Sequence, residues 1–215
     1  MKPLMFINFK TYKEGTGKKA LELAKICEKI AKKNKFEIIL AVQAADIYRI
    51  SKNTKLKVIA QHIDDIKQGQ FTGYILAEDI KEDGAYGTLL NHSEHPLNYK
   101  TLKNCIKIAK ETKLKTFVFA KNIKEIKKFS LLKPDYIVIE PPELVGGDIS
   151  VSKAKPKLIR KSVLATKLPV LCGAGIKTKE DVVKALELGV IGIGLSSGIL
   201  KAKNPGKVLR EITNI

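Results

Sequence analysis

Apolar residues along the chain fall into two alternating rhythms. Short β-branched runs, roughly Leu4 to Lys10, Glu37 to Val42 and Lys57 to Gln61, read as strands. The lysine-rich stretches between such runs repeat their apolar residues at three and four, as amphipathic helices do. Ala20, Leu21, Leu23, Ala24, Cys27, Ile30 and Ala31 form the first helical stripe, and shorter helices are predicted over Ala45 to Lys52 and around Leu76 to Asp83. A fourth strand, Gly87 to Asn91, leads to a helix near Asn98 to Thr112, and a fifth, Lys115 to Ala120, to one over Ile123 to Leu132. Asp135 to Glu140, Pro169 to Gly173 and Val190 to Leu195 complete the strands. Each is followed by a Gly- or Pro-containing loop and a helical pattern, the last near Pro205 to Ile212.

Alternation of strand and helix predicts an α/β protein with a parallel sheet, because parallel neighbours need a crossover connection and the crossover is normally helical. Eight such units in one run point to a closed (β/α)8 barrel forming a single domain over residues 1–215. About 250 residues is typical of that barrel, so a chain of 215 residues implies shortened helices and loops. A doubly wound open sheet is the alternative architecture.

Charge changes the picture next. Lys plus Arg number 40 against 22 Asp plus Glu, a net charge of +18. Arg49, Arg160 and Arg210 are the arginines, so the positive charge is almost all lysine. A positive field attracts anions, either nucleic acid or a small phosphorylated substrate. The chain has no Trp, and its 6 Tyr and 7 Phe fall mostly in strand and helix patterns. That leaves no aromatic or arginine-rich platform of the kind RNA recognition uses, and a catalytically silent RNA-binding barrel rests on the charge alone.

Cys27, Cys105 and Cys172 are too widely spaced for a CxxC site, and their odd number argues against a disulfide framework. The longest uncharged stretch, Leu188 to Leu200, is shorter than the roughly 20 residues of a membrane-spanning helix. The opening Met-Lys-Pro-Leu lacks the form of a signal peptide, so a cytoplasmic protein with no membrane partner is expected.

A (β/α)8 barrel carries its catalytic groups at the C-terminal ends of its strands. Strand one ends in Asn8 and Lys10, strand four in Asn91 and His92, strand six in Glu140, and strands seven and eight in glycine- and serine-rich turns. Residues two apart share a strand face, so Asn8 and Lys10 are predicted to point the same way. Each candidate has a structural reading beside the catalytic one. Glu140 could be a helix N-terminal charge, although Pro141 biases it away from helical geometry. His92 could be a satisfied structural histidine, Lys10 a surface lysine, Gly175 a turn glycine, and Ser196-Ser197 a helix cap.

Taken together and in order, Asn8-Phe9-Lys10-Thr11-Tyr12, Asn91-His92-Ser93-Glu94, Glu140-Pro141-Pro142-Glu143-Leu144, Cys172-Gly173-Ala174-Gly175-Ile176 and Leu195-Ser196-Ser197-Gly198 resemble the triosephosphate isomerase family in its shorter archaeal form. The resemblance covers nearly the whole chain. It implies interconversion of D-glyceraldehyde 3-phosphate and dihydroxyacetone phosphate through an enediolate, in glycolysis and gluconeogenesis, with no metal or organic cofactor.

Glu140 is then the expected base and His92 the electrophile, a pairing known of this family. Lys10 supplies positive charge, with Asn8 hydrogen-bonding beside it. Val145 and Gly146 take the family's mobile-loop position, and Gly175, Ser196 and Ser197 are expected to hold the phosphate through backbone amides. Gln61-His62 and the Phe71-Thr72-Gly73 turn resemble a loop that reaches a neighbouring subunit, which implies a homodimer or homotetramer. No nucleic-acid partner is expected.

Three positions depart from the family pattern: the loop reads Val145-Gly146-Gly147-Asp148, His95 stands where many members have Arg or Lys, and Ala120 stands where many have cysteine. Another phosphate-binding barrel, a phosphoribosyl isomerase or an aldolase, is the competing enzyme class. A Schiff-base aldolase needs a lysine on a late strand, and strand six offers Glu140 instead.

Overall fold

The computed structural model describes residues 2–144 and 150–215. Its strands are β1 (Leu4–Asn8), β2 (Glu37–Val42), β3 (Lys57–Ala60), β4 (Gly87–Leu90), β5 (Lys115–Ala120), β6 (Tyr136–Ile139), β7 (Val170–Cys172) and β8 (Gly192–Leu195). They form a closed barrel in chain order, and β8 closes in parallel on β1 with Leu4 opposite Gly192 and Ile7 opposite Leu195. Closure excludes the open-sheet alternative.

Two cores follow from the alternation of side chains along each strand. Leu4, Phe6, Ile39, Ala41, Ile59, Leu89, Phe117, Phe119, Val138 and Leu171 fill the barrel. Their neighbours, such as Met5, Ile7, Ile38, Leu40, Val118 and Ile139, face the helices. Both strand faces are therefore buried, which is why the strands read as continuous apolar runs rather than alternating ones. Inside the barrel the ring of Phe6 meets Phe119 edge-on at 6.1 Å. Gly194 makes room for it, since a Cβ there would stand 2.3 Å from Phe6 Cζ. Truncating Phe6 to Ala would cost roughly 3–5 kcal/mol.

The helices are α1 (Gly17–Ala31), α2 (Ala44–Asn53), α3 (Ala77–Glu82), α4 (Tyr99–Glu111), α5 (Ile123–Ser130), α6 (Val151–Ala154), α7 (Pro156–Leu164), α8 (Lys179–Glu187), α9 (Ser197–Leu200) and α10 (Pro205–Thr213). In α1 the predicted stripe is buried at Ala20, Leu23, Ala24, Cys27 and Ile30. Asn98, Asn122 and Asn204 cap α4, α5 and α10 through their side-chain oxygens. The single turns Lys13–Gly15, Pro142–Leu144, α6 and α9 hold too few residues to show a period, and the hydrophobic pattern does not predict them. Among the described residues no helix is long and apolar enough to cross a membrane.

Several strands stop earlier than the apolar pattern predicts, and the difference matters for the site. β1 ends at Asn8 and β4 at Leu90. Lys10 (φ 47°) and Asn91 (φ 59°) then turn the chain through the left-handed region. Lys10 is therefore not on the alternating face shared with Asn8, and the turn brings it to the barrel mouth instead. Asn is among the few non-glycine residues that visit this region routinely, and here its side chain is held from two sides: its amide donates to the Phe119 carbonyl on β5 at 2.9 Å, and its oxygen accepts the Leu97 N–H at 2.8 Å.

Candidate active site

Asn8 continues the inward face of Leu4 and Phe6, so the last strand position of β1 delivers a buried amide to the mouth. Its Oδ1 accepts the Lys10 N–H at 3.0 Å and Gln61 Nε2 at 3.2 Å. Its carbonyl accepts the Ser196 hydroxyl at 2.8 Å, tying β1 to the turn after β8. Gln61 also donates to the Lys10 carbonyl at 3.0 Å, which holds the left-handed turn. The Lys10 ammonium pairs with Glu94 at 2.6 Å; the lysine side chain is 14% exposed and the glutamate 56%. A pair so open to water contributes little stability, so its consequence is placement of the ammonium.

His92 sits just past β4 with its ring edge on Phe119, centroids 4.7 Å apart. The Glu94 N–H donates to His92 Nδ1 at 3.1 Å. In a neutral ring the proton is then on Nε2, which lies 3.3 Å from Glu140 Oε2. Burial lowers the His92 pKa to about 4, with Glu94 opposing and Lys10 reinforcing the shift. The imidazole is neutral at pH 7.

Glu140 follows β6. Burial raises its carboxyl to about 7, against the pull of Lys10 and of the Ser93 hydroxyl, with Glu94 pushing the same way as burial. Ser93 donates to Glu140 Oε2 at 3.4 Å. Two neighbouring groups are thus shifted apart, the carboxylate toward a basic value and the imidazole away from its cation, which is the pattern that separates an acid–base pair.

Asn8, Lys10, His92, Glu140, Gly175, Ser196 and Ser197 line one cleft with about 540 Å³ of empty space. Consecutive positive φ angles at Ala174 (74°) and Gly175 (68°) turn the backbone after β7 toward it. The segment that follows the turn is held by Asp181, which accepts the N–H groups of Lys177 and Thr178, each at 3.1 Å, and the Ser150 hydroxyl at 2.8 Å. Burial alone would raise Asp181, but Lys153 and these hydrogen bonds outweigh it and hold the carboxyl at about 2. Val145 and Gly146, with Gly147 and Asp148, lie outside the described residues.

Spacing along the sequence does not single out Ser93, Gly173 or Asp181 for the site. Ser93 and Gly173 are legible only as members of the family-like motifs, and Asp181 only through the Thr178-x-x-Asp181 capping box. Glu94 and Gln61 stand in the family-like motifs, but their hydrogen bonds to His92 and Lys10 come from the tertiary structure. Cys172 is fully buried and its thiol is pushed up to about 12 by burial, which removes it as a nucleophile at neutral pH. Among the described residues no group of three or more His, Cys, Asp and Glu side chains is arranged to hold a metal ion.

Fold and cleft together define a (β/α)8-barrel enzyme whose mouth joins a carboxylate, a neutral imidazole and an ammonium. The sequence matches the triosephosphate isomerase family model over residues 3–214, and the chain belongs to the triosephosphate isomerase family. Triosephosphate isomerase of Saccharolobus solfataricus is 46% identical over 213 residues, covering 97% of this chain and 94% of the relative. That of Methanocaldococcus jannaschii is 45% identical over 214 residues (97% and 98%), and that of Methanosarcina mazei 42% over 218 residues (99% and 98%). The crystal structure of triosephosphate isomerase from Bartonella henselae shares the fold, with a TM-score of 0.69 at 19% identity over 97% of this chain and 98% of that one.

Proposed function

We propose that Glu140, His92, Lys10 and Asn8 carry the interconversion of dihydroxyacetone phosphate and D-glyceraldehyde 3-phosphate, the reaction of the family to which the chain belongs. Glu140 takes the proton from the hydroxyl-bearing carbon. The electron pair left behind forms the carbon–carbon double bond of an enediolate, and negative charge moves to the former carbonyl oxygen. His92 Nε2–H donates to that oxygen and moves protons between the two oxygens, and Glu140 returns its proton to the neighbouring carbon. Lys10 offsets the developing charge, with Asn8 fixing the turn that holds it. Gly175, Ser196 and Ser197 bind the phosphate through the turns after β7 and β8.

The observation that carries this reading is the 3.3 Å approach of Glu140 Oε2 to the proton-bearing Nε2 of His92 inside a closed barrel. Phe71 and Tyr74 are exposed on the segment that resembles the family's inter-subunit loop, which supports a homodimer or homotetramer. The chain acts as a single-domain enzyme of the cytoplasm, in glycolysis and gluconeogenesis.

A coupled spectrophotometric assay with D-glyceraldehyde 3-phosphate tests the reading. The parent protein turns over and Lys10→Met loses both substrate affinity and turnover. An unaffected Lys10→Met variant overturns the role of Lys10, and an inactive, folded parent overturns the substrate.

A further inference from the structure

The chain contains three histidines, and all three meet at the barrel mouth. His62 follows Gln61 on the segment leaving β3, and its ring stacks on His95 with centroids 4.1 Å apart and planes 28° from parallel. The His62 ring is anchored from behind. Its Nε2 faces Asp64 Oδ1 at 3.3 Å, and Asp64 Oδ2 accepts the Ile75 N–H at 2.7 Å.

His95 in turn closes a tight turn, donating its N–H to the His92 carbonyl at 2.8 Å. Glu94 lies inside that turn with two tasks: its N–H fills His92 Nδ1 at 3.1 Å, and its carboxylate holds Lys10 at 2.6 Å. The Glu94 side chain is mostly in water, so the backbone turn is what places it.

We propose that the His62–His95 stack is a positioning pair, which locks the 92–95 turn so that Glu94 keeps the proton of His92 on Nε2 and keeps Lys10 in the cleft. Gln61, immediately before His62, donates to Asn8 and to the Lys10 carbonyl. One short segment after β3 thus grips the β1 side of the cleft through Gln61 and the β4 side through His62. The proposal rests on His92 acting as the electrophile. Stacking requires a flat ring at position 95, not a titrating one, which separates it from a role for the imidazole nitrogens.

The test compares His95→Ala, His95→Phe and His92→Gln with the parent, in steady-state kinetics and in 15N spectra of histidine-labelled protein. His95→Ala lowers kcat on the order of 10- to 100-fold, because a small misplacement of catalytic groups is costly. The inhibition constant of inorganic phosphate, which reads the other side of the cleft, changes less than about threefold in the same variant, since distant sites behave independently. Its His92 signals shift from the single Nε2–H form to a mixture of tautomers. His95→Phe keeps the stack and returns kcat to within about threefold of the parent.

A folded His95→Ala variant with parental kcat and unchanged His92 signals overturns the proposal, as does a His95→Phe variant impaired as deeply as His95→Ala. Should His95→Ala not fold, His95→Phe and His62→Phe decide alone: parental turnover in both supports the stack, and loss in both overturns it. Loss of turnover in His92→Gln beside an unaffected His95→Ala defeats the stack and spares the site. Retained turnover in His92→Gln defeats the site reading itself.

Discussion

A Cβ on Gly173 would stand 2.6 Å from Oε1 of Glu140, with Cδ and Cγ of the same side chain next at 3.5 and 3.7 Å. The residue just past β7 therefore sets where the carboxylate can rest. Since the crowded atoms belong to the end of a flexible side chain, Gly173→Ala is expected to displace the carboxylate rather than the barrel. Its kcat falls on the order of 100-fold, while thermal melting shifts by only a few degrees. A Gly173→Ala variant with parental kcat would show that this seat is not the one used in turnover.

The two shifted groups divide the pH dependence between them. Glu140 at about 7 must lose its proton to act as base, so kcat/KM falls as pH drops through that value. His92 at about 4 stays neutral throughout that fall and contributes no inflection near 7. The residual activity of His92→Gln is predicted to keep the same acid limb. A pH–rate profile whose limb moves with His92 instead would reassign it.

Stability carries the same signature with a definite sign. Glu140 has a carboxyl raised from 4.5 to about 7 in the fold, so the folded state binds the extra proton and stability is lost as pH rises through that window. Glu140→Gln removes this loss. The variant is expected to melt higher than the parent at pH 8, by up to about 3 kcal/mol in unfolding free energy. The gap closes toward pH 4.5, and melts at the two pH values check it.

Asp181 links stability to the segment after β7, beside the turn proposed to hold the phosphate. Asp181→Asn weakens the bonds to the Lys177 and Thr178 N–H groups and to Ser150, at a cost of roughly 1–3 kcal/mol. Loosening the Lys177–Thr178 segment, which follows the Ala174–Gly175 turn, is expected to raise the inhibition constant of inorganic phosphate while kcat for bound substrate changes less. Equal phosphate affinity in the parent and Asp181→Asn would separate the turn from phosphate binding.

Much of this protein is written in local patterns. Runs such as Glu37–Val42 and Lys115–Ala120 are strands as the apolar pattern predicts, and Glu140 is legible at the end of one with Pro141 behind it. Lys10 reaches the cleft for a different reason than the alternation of β1: a left-handed turn held by Asn8 and Gln61. The His62–His95 stack and the contact of Gly173 with Glu140 join loops from different strands. Spacing along one segment holds no record of such pairings, because they exist only once the barrel has closed.

The proposed reaction depends above all on Glu140 as its base. Turnover of D-glyceraldehyde 3-phosphate by Glu140→Gln, measured beside the inhibition constant of inorganic phosphate, tests it most directly. Turnover is expected to fall on the order of 100- to 10,000-fold with phosphate affinity retained. Parental turnover in a folded Glu140→Gln variant contradicts it.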